Sequence, residues 1–292
     1  MPELVSILIP AYRSEAWIRE TMLSAINQTW RNTEVIVVDD GSPDGTFETA
    51  RSLESRSVKV VTQDNTGACG ARNHALRLAQ GDYIQWLDAD DLLDPRKIEH
   101  QMAAVRDGAT TRTLLTASWG KFFFRTAKAR FEPDSLWRDL GPEEWIRTRF
   151  RENVWMNPAV WLVSRELTEL AGPWDERLTR SGDDDGEYVC RLAARSDGVR
   201  FVPDAKAYYR IGTVGSLNWN MDTRDDVLES LLLSLQVTVA HLLEFNDTAE
   251  NRAAAVRHLQ TFAEYFVGAD KRYLERLFRS AEELGGRLEP PR

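Results

Sequence analysis

Through its first hundred residues the chain alternates short β-branched runs with stretches of helical spacing, and few folds accept that pattern. The runs are "VSILIP" (5–10), "EVIVVDD" (34–40), "VKVVTQ" (58–63) and "DYIQWLD" (82–88). Between them, 16–28, 45–55 and 68–79 carry apolar residues at helical intervals, as in Ala68, Ala71, Ala75, Leu76 and Ala79. Near-continuous apolar strands joined by helical crossovers predict a parallel sheet covered on both faces. A ligand crevice in such a sheet forms beyond the carboxyl ends of the strands. The polar residues at each strand end are therefore the ones to read for function.

From about Asp107 the alternation weakens and aromatics gather, in "SWGKFFF", "SLWRDLGPEEW" and "NVWMNPAVWLV", as in loops and mixed strands built onto the first half. Residues 184–195 return to helical spacing, 198–210 read as extended chain, and 224–285 as helices broken near Asn246 and Gly268. At 292 residues this suits one main domain with an appendage. The formal charge of −9 argues against a sequence-independent nucleic-acid binder, which needs clustered Lys and Arg. Cys69 and Cys190 lie far apart without CxxC spacing, leaving neither a metal cage nor a disulfide framework. The start "MPELVSILIPAY" has no basic region, long apolar core or cleavage site, so a cytosolic chain is expected. The run "VLESLLLSLQVTVAHLLEF" carries Glu229, Gln236 and His241, and reads as an amphipathic helix rather than a membrane span.

At the strand ends each cluster has two readings. The first strand leads into Pro10, Ala11, Tyr12 and Glu15, the second into Asp39 and Asp40. An aromatic ring beside a carboxylate suits a nucleobase, with Tyr12 stacking and Asp40 accepting a uracil-like imino N–H; "DDGSPDG" also suits a plain turn. In "DNTGACGARN", Gly67 and Gly70 permit close backbone approach, and Arg72 sits where a helix start favours anions. It matches neither GxGxxG nor the P-loop, and alone it is a helix start. The fourth strand runs into "LDADDLLDP", with four aspartates in seven positions. Asp88 and Asp90 are either ligands for Mg²⁺ or Mn²⁺ or part of a solvated turn, and Asp94 before Pro95 reads as a helix cap. In "SGDDDGEYVCRLA" the three aspartates either complement a helix dipole or supply a general base.

Taken in order, "SILIPAY", "VIVVDDGSPDGT", "NTGACGARN", "GDYIQWLDADD" and "GPWDERLTRSGDDDGEYVCRLA" resemble the family 2 inverting glycosyltransferases of the GT-A fold, over roughly residues 4 to 217. The resemblance implies a Rossmann-like, mixed and mostly parallel sheet flanked by helices. It implies a GT-A domain over 1–222, with a nucleotide-binding half (1–106) and an acceptor-binding half (107–222), followed by a helical extension over 223–292. It places Pro10, Ala11, Tyr12, Glu15 and Asp40 around the nucleoside, Arg72 near the base or diphosphate, Asp88 by the ribose or a metal-bound water, and Asp90 on a Mn²⁺ or Mg²⁺ ion. The family's acidic pair before Arg-Leu falls on Asp184 and Asp185 ahead of Arg191 and Leu192. Asp185 is then the base and Asp184 stands near the acceptor. Asp184 replaces the usual Glu, and Gly212 stands about where many relatives carry a His.

The implied activity is metal-dependent, inverting transfer from a nucleotide-diphosphate sugar, a UDP-sugar by Asp40, to a glycan, lipid-linked or small-molecule hydroxyl. Trp155, in a loop-like stretch, is the acceptor candidate among the tryptophans; Trp119 and Trp161 are the other conceivable platforms. Homodimerisation or peripheral contact with the inner face of the membrane would fall to the C-terminal helices. A phospho-receiver would need acidic residues after the first strand, where Pro10 and Tyr12 stand. A nucleotidyltransferase would need a basic Gly-rich loop that "AYRSEAW" lacks. A catalytically retired carbohydrate-binding or scaffolding protein need not keep both the DxD and Asp185.

Overall fold

A computed structural model describes residues 2–178, 183–212 and 224–291. Strands β1 (Val5–Ala11), β2 (Thr33–Asp39), β3 (Val58–Thr62) and β4 (Tyr83–Trp86) lie parallel in the order β3, β2, β1, β4. The crossovers carry α1 (Ile18–Ile26), α2 (Thr46–Arg51) and α3 (Ala68–Leu78). Helices cover both faces, so Ile7, Leu8 and Ile9 of β1 and Val35 to Val38 of β2 are all buried, and the strands need no polar alternation. The chain moves outward from β1 to β3 and then returns to the other side of β1 at β4. This reversal opens a crevice beyond the strand ends, where Tyr12, Asp40 and Asp88 stand.

The second half extends the sheet beyond β4. It contributes β5 (Leu92–Leu93), α4 (Lys97–Arg106), β6 (Thr113–Phe122), β7 (Arg130–Phe131), α5 (Pro142–Glu152), β8 (Leu162–Ser164), α6 (Arg165–Ala171), α7 (Asp184–Arg195) and β9 (Gly198–Arg210). β8 bridges β4 and β6 antiparallel, β6 and β9 run parallel, and β9 folds back antiparallel onto β5. The result is the mixed, mostly parallel α/β sheet that the sequence predicts. Gln85, a polar residue inside the buried strand β4, is explained by Lys97. The Lys97 ammonium donates to the Gln85 and Gln101 side-chain oxygens, while their amides donate to the Ala159 and Val160 carbonyls. Burial pushes the Lys97 pKa well down, and its hydrogen bonds join β4 to α4 and the 158–160 turn.

Three helices follow: α8 (Asp225–Leu243), α9 (Ala249–Phe262) and α10 (Lys271–Glu283). The breaks expected near Asn246 and Gly268 are their connecting turns. Thr248 accepts the Asn251 N–H and Asp270 the Arg272 N–H, capping the helices that resume. By length and composition α8 could cross a membrane. Its apolar residues Leu228, Leu231, Leu235 and Leu242 instead join the protein core, and His241, which interrupts the run, meets Glu187 of α7 at 3.1 Å. α8 packs on α7 and α9 on α5. The boundary expected at 222/223, like the 213–217 end of the resemblance, lies outside the described residues.

A chain ended before residue 224 should aggregate, because the faces of α5 and α7 that meet α8 and α9 would be left to water. Size-exclusion chromatography checks this; a soluble monomeric truncation would show that the helices are an independent module.

Candidate active site

The four aspartates after β4 have four different fates. Asp88 accepts from Arg72 Nη2 at 3.1 Å. Asp90 sits half-buried in the following turn, which Arg210 holds by donating from Nε to the Asp90 carbonyl at 2.8 Å. Asp91 is fully buried, accepting the Arg210 backbone N–H at 2.9 Å and the Asn157 amide. Burial, and then the charges of Asp90 and Asp88, push its pKa well up. Asp94 accepts the Arg96 N–H and the Tyr208 hydroxyl; α4 starts only at Lys97, so Asp94 secures the turn entering the helix rather than its first turn.

Beyond β2, Asp40 is buried, and its carboxylate accepts the backbone N–H groups of Thr66 at 2.9 Å and Gly67 at 2.8 Å and the Gln63 amide. Gly67 takes φ +85°, a conformation that lets its N–H turn to Asp40 just before α3 begins. Among the described residues Oδ2 receives only the Gly67 N–H and so keeps acceptor capacity. Tyr12 is 45% exposed, directly after Pro10 and Ala11 at the end of β1. Glu15 accepts the Gly45 N–H at 3.1 Å, on the rim of the same crevice.

Arg72, on α3, is 6% exposed and joins two motifs. Besides Asp88 it donates from Nη1 to Asp184 at 2.5 Å, and its guanidinium lies 4.2 Å from the Trp174 ring. Asp183, 5% exposed, accepts from Arg149 Nη2 at 2.9 Å and from Ser234 of α8. Gly186 follows because a Cβ there would strike both Asp183 and Arg149. Of the three aspartates, Asp185 alone makes no ion pair among the described residues; its carboxylate accepts the Gly186 N–H. Burial, reinforced by Asp184 and then Asp183, pushes its pKa up to about 8.

Asp185, Asp183 and Arg149 line a cavity of about 230 Å³, closed on one side by Trp155 and Met156 and on the other by His258, Thr261 and Tyr265. Asp184 is not among its lining residues; its carboxylate faces Arg72 and the Cys69 thiol. Trp155 is 38% exposed and also borders a second cavity of about 270 Å³, beside Trp119 and Lys121. Trp161 is fully buried and serves the core, while Trp119, also buried, reaches the wall of that second cavity. The sequence reading passed over Arg149, Asp183 and Arg210, and the C-terminal residues around the cavity. An isolated Arg in an amphipathic helix carries no local sign of a buried partner 34 residues on.

The donor set bears on the metal. Among the described residues no group of three His, Cys, Asp or Glu could hold an ion by itself. Asp88 is drawn to Arg72, and Asp90 stands beside it in the same turn, half-buried. One carboxylate fits a hard ion such as Mg²⁺ that completes its shell with substrate phosphates and water.

Residues 6–164 match the family model described as "Glycosyl transferase family 2". The chain is 39% identical over 102 residues to an uncharacterized glycosyltransferase of Haemophilus influenzae, covering 34% of this chain and 41% of that protein. It is 43% identical over 101 residues to the Escherichia coli UDP-Glc:alpha-D-GlcNAc-diphosphoundecaprenol beta-1,3-glucosyltransferase WfaP, covering 34% and 40%. The matched stretch is thus under half of either relative. In fold it is similar to S. aureus TarS 1–349 solved in complex with UDP, with a TM-score of 0.71 and 16% identity over 96% of this chain and 79% of that one. TarS 1–349 has also been solved in complex with UDP-GlcNAc.

The electrostatics separate Asp183 from Asp185. Between about pH 4 and pH 8 the folded chain holds a proton on Asp185 that the unfolded chain releases, so this group's contribution to stability falls as pH rises. Asp185→Asn should therefore raise the melting temperature at about pH 9 and change it little at about pH 5. Asp183→Asn leaves the Arg149 charge buried without a counter-charge and should cost roughly 3–5 kcal/mol. Thermal and urea unfolding of both variants at the two pH values check the contrast.

Proposed function

The chain belongs to glycosyl transferase family 2, and on that footing we propose that this glycosyltransferase moves a sugar from a UDP-sugar to a hydroxyl of a glycan, lipid-linked or small-molecule acceptor, inverting the anomeric carbon. The observation that carries the reading is Asp185, which has no cationic partner among the described residues, lies within reach of the charges of Arg72 and Asp88, and lines the 230 Å³ cavity. Its pKa, raised to about 8, makes the ionised carboxylate, which forms as pH rises toward that value, a stronger proton acceptor than an ordinary aspartate.

Asp185 accepts the proton of the acceptor hydroxyl as that oxygen bonds to the anomeric carbon. The bond from that carbon to the diphosphate oxygen breaks, and UDP leaves with the electron pair. Attack from the face opposite the diphosphate inverts the configuration. Arg72 holds Asp88 and Asp184 on either side of the reaction zone. Asp90 is the residue that would hold Mg²⁺ or Mn²⁺, which when bound neutralises the charge developing on the diphosphate. Tyr12 stacks on the base, and Asp40 Oδ2 accepts the N3–H that uracil presents and cytosine lacks. The UDP-Glc in the name of WfaP and the UDP and UDP-GlcNAc complexes of TarS support that choice of donor.

Asp185→Asn keeps the side-chain shape but loses the base. Transfer should fall about 10²- to 10⁴-fold while UDP affinity holds; transfer at the parental rate would remove Asp185 from the mechanism. Calorimetry with UDP, TDP, GDP and CDP should rank UDP and TDP first, and a preference for CDP would sink the role of Asp40.

A further inference from the structure

We infer that the 230 Å³ cavity receives a sugar ring of the acceptor and that the C-terminal helix α9 selects it, through His258 and Thr261 acting with Arg149. This rests on the glycosyltransfer reading above, whose base Asp185 lines the same cavity. Two polar groups of its lining residues are buried with no hydrogen-bond partner among the described residues: Arg149 Nη1 and His258 Nε2. Each such group costs about 1–3 kcal/mol until something pairs with it, so a ligand that supplies partners is favoured. The His258 ring stacks on Phe150 at 4.1 Å, 5° from parallel, which fixes its plane. Burial, and then the charge on Arg149, hold the imidazole well below its ordinary pKa, so it meets a ligand as a neutral group.

The cavity chemistry narrows the ligand. A sugar hydroxyl both donates and accepts, so neighbouring hydroxyls can serve a guanidinium and a neutral imidazole together. Trp155, Phe262 and Val189 supply apolar wall for the ring's C–H faces. A phosphate group fits poorly, because Asp183 and Asp185 line the same space. A lipid tail would leave Arg149 and His258 unpaired.

Thr261→Cys gives a test in which one folded sample is its own control, since Cys69 and Cys190 are buried. The variant is labelled with a benzyl methanethiosulfonate and assayed for transfer from UDP-glucose and UDP-N-acetylglucosamine to a panel of p-nitrophenyl glycosides, before and after reversal with dithiothreitol. Labelling should raise the glycoside KM at least about tenfold, reduction should restore it, and UDP affinity should hold throughout. His258→Phe, which keeps the stack on Phe150, should raise the same KM about tenfold with a smaller change in kcat. A labelled protein with parental KM overturns the cavity assignment and leaves the role of Asp185 standing. A parent that hydrolyses UDP-sugars yet transfers to no glycoside overturns the sugar-ring assignment. A parent that releases UDP from neither donor overturns the UDP-sugar reading and this inference with it.

Discussion

Arg72 lies buried between Asp88, 16 residues on, and Asp184, 112 residues on, and the crevice depends on that arrangement. A strand end and a helix start, both acidic, are brought together, and without a cation between them the two carboxylates would drive each other toward protonation. Arg72 removes that conflict. Its guanidinium rests on Trp174, which in turn stacks on Tyr188 of α7 at 4.0 Å, so the charge is held by packing as well as by ion pairs. Both carboxylates raise its pKa, and it stays charged across any working pH.

Acidic crowding is thus resolved by assigning each carboxylate a different partner. Asp184 has Arg72, Asp183 has Arg149, Asp91 has a backbone N–H and an amide, and Asp185 has no cation among the described residues. Burial raises the proton affinity of Asp91 and Asp183 as well, and Asp185, without a cation to oppose it, is pushed up to about 8. Asp183 and Asp184, through their arginines, fix where the helix begins and so where Asp185 stands.

The first half of the fold was legible because its signal is local. Apolar runs, helical spacing and Gly-rich strand ends placed β1 to β4, α1 to α3 and the polar residues beyond them, and 184–195 and 198–210 were also read correctly as helix and extended chain. The two-residue β5, three-residue β8 and the register shift between Ala117 and Ser118 were not legible, since short strands take their identity from neighbours. At the site, the candidates Tyr12, Asp40, Arg72, Asp88 and Asp90 could be named from strand and helix ends, whereas Asp185 was singled out from its trio only by the family resemblance. Which aspartate pairs with which arginine could not, because those partners are tens to hundreds of residues apart. Asp183 looked like the spare member of its trio and is instead the most tightly tied.

Arg210 has a consequence for how the chain acquires its structure. Its backbone N–H binds Asp91, 119 residues earlier, its Nε holds the Asp90 carbonyl, and β9 supplies the pairing partner of β5. Contacts across so much sequence require a large loop to close before they give any return, and they form late. During synthesis the parallel core of β1 to β4 can form early, but the DxD turn awaits the emergence of β9. A nascent chain would pass through a stage with a folded first half and an unfinished turn at Asp90 and Asp91, which would be completed in one late step.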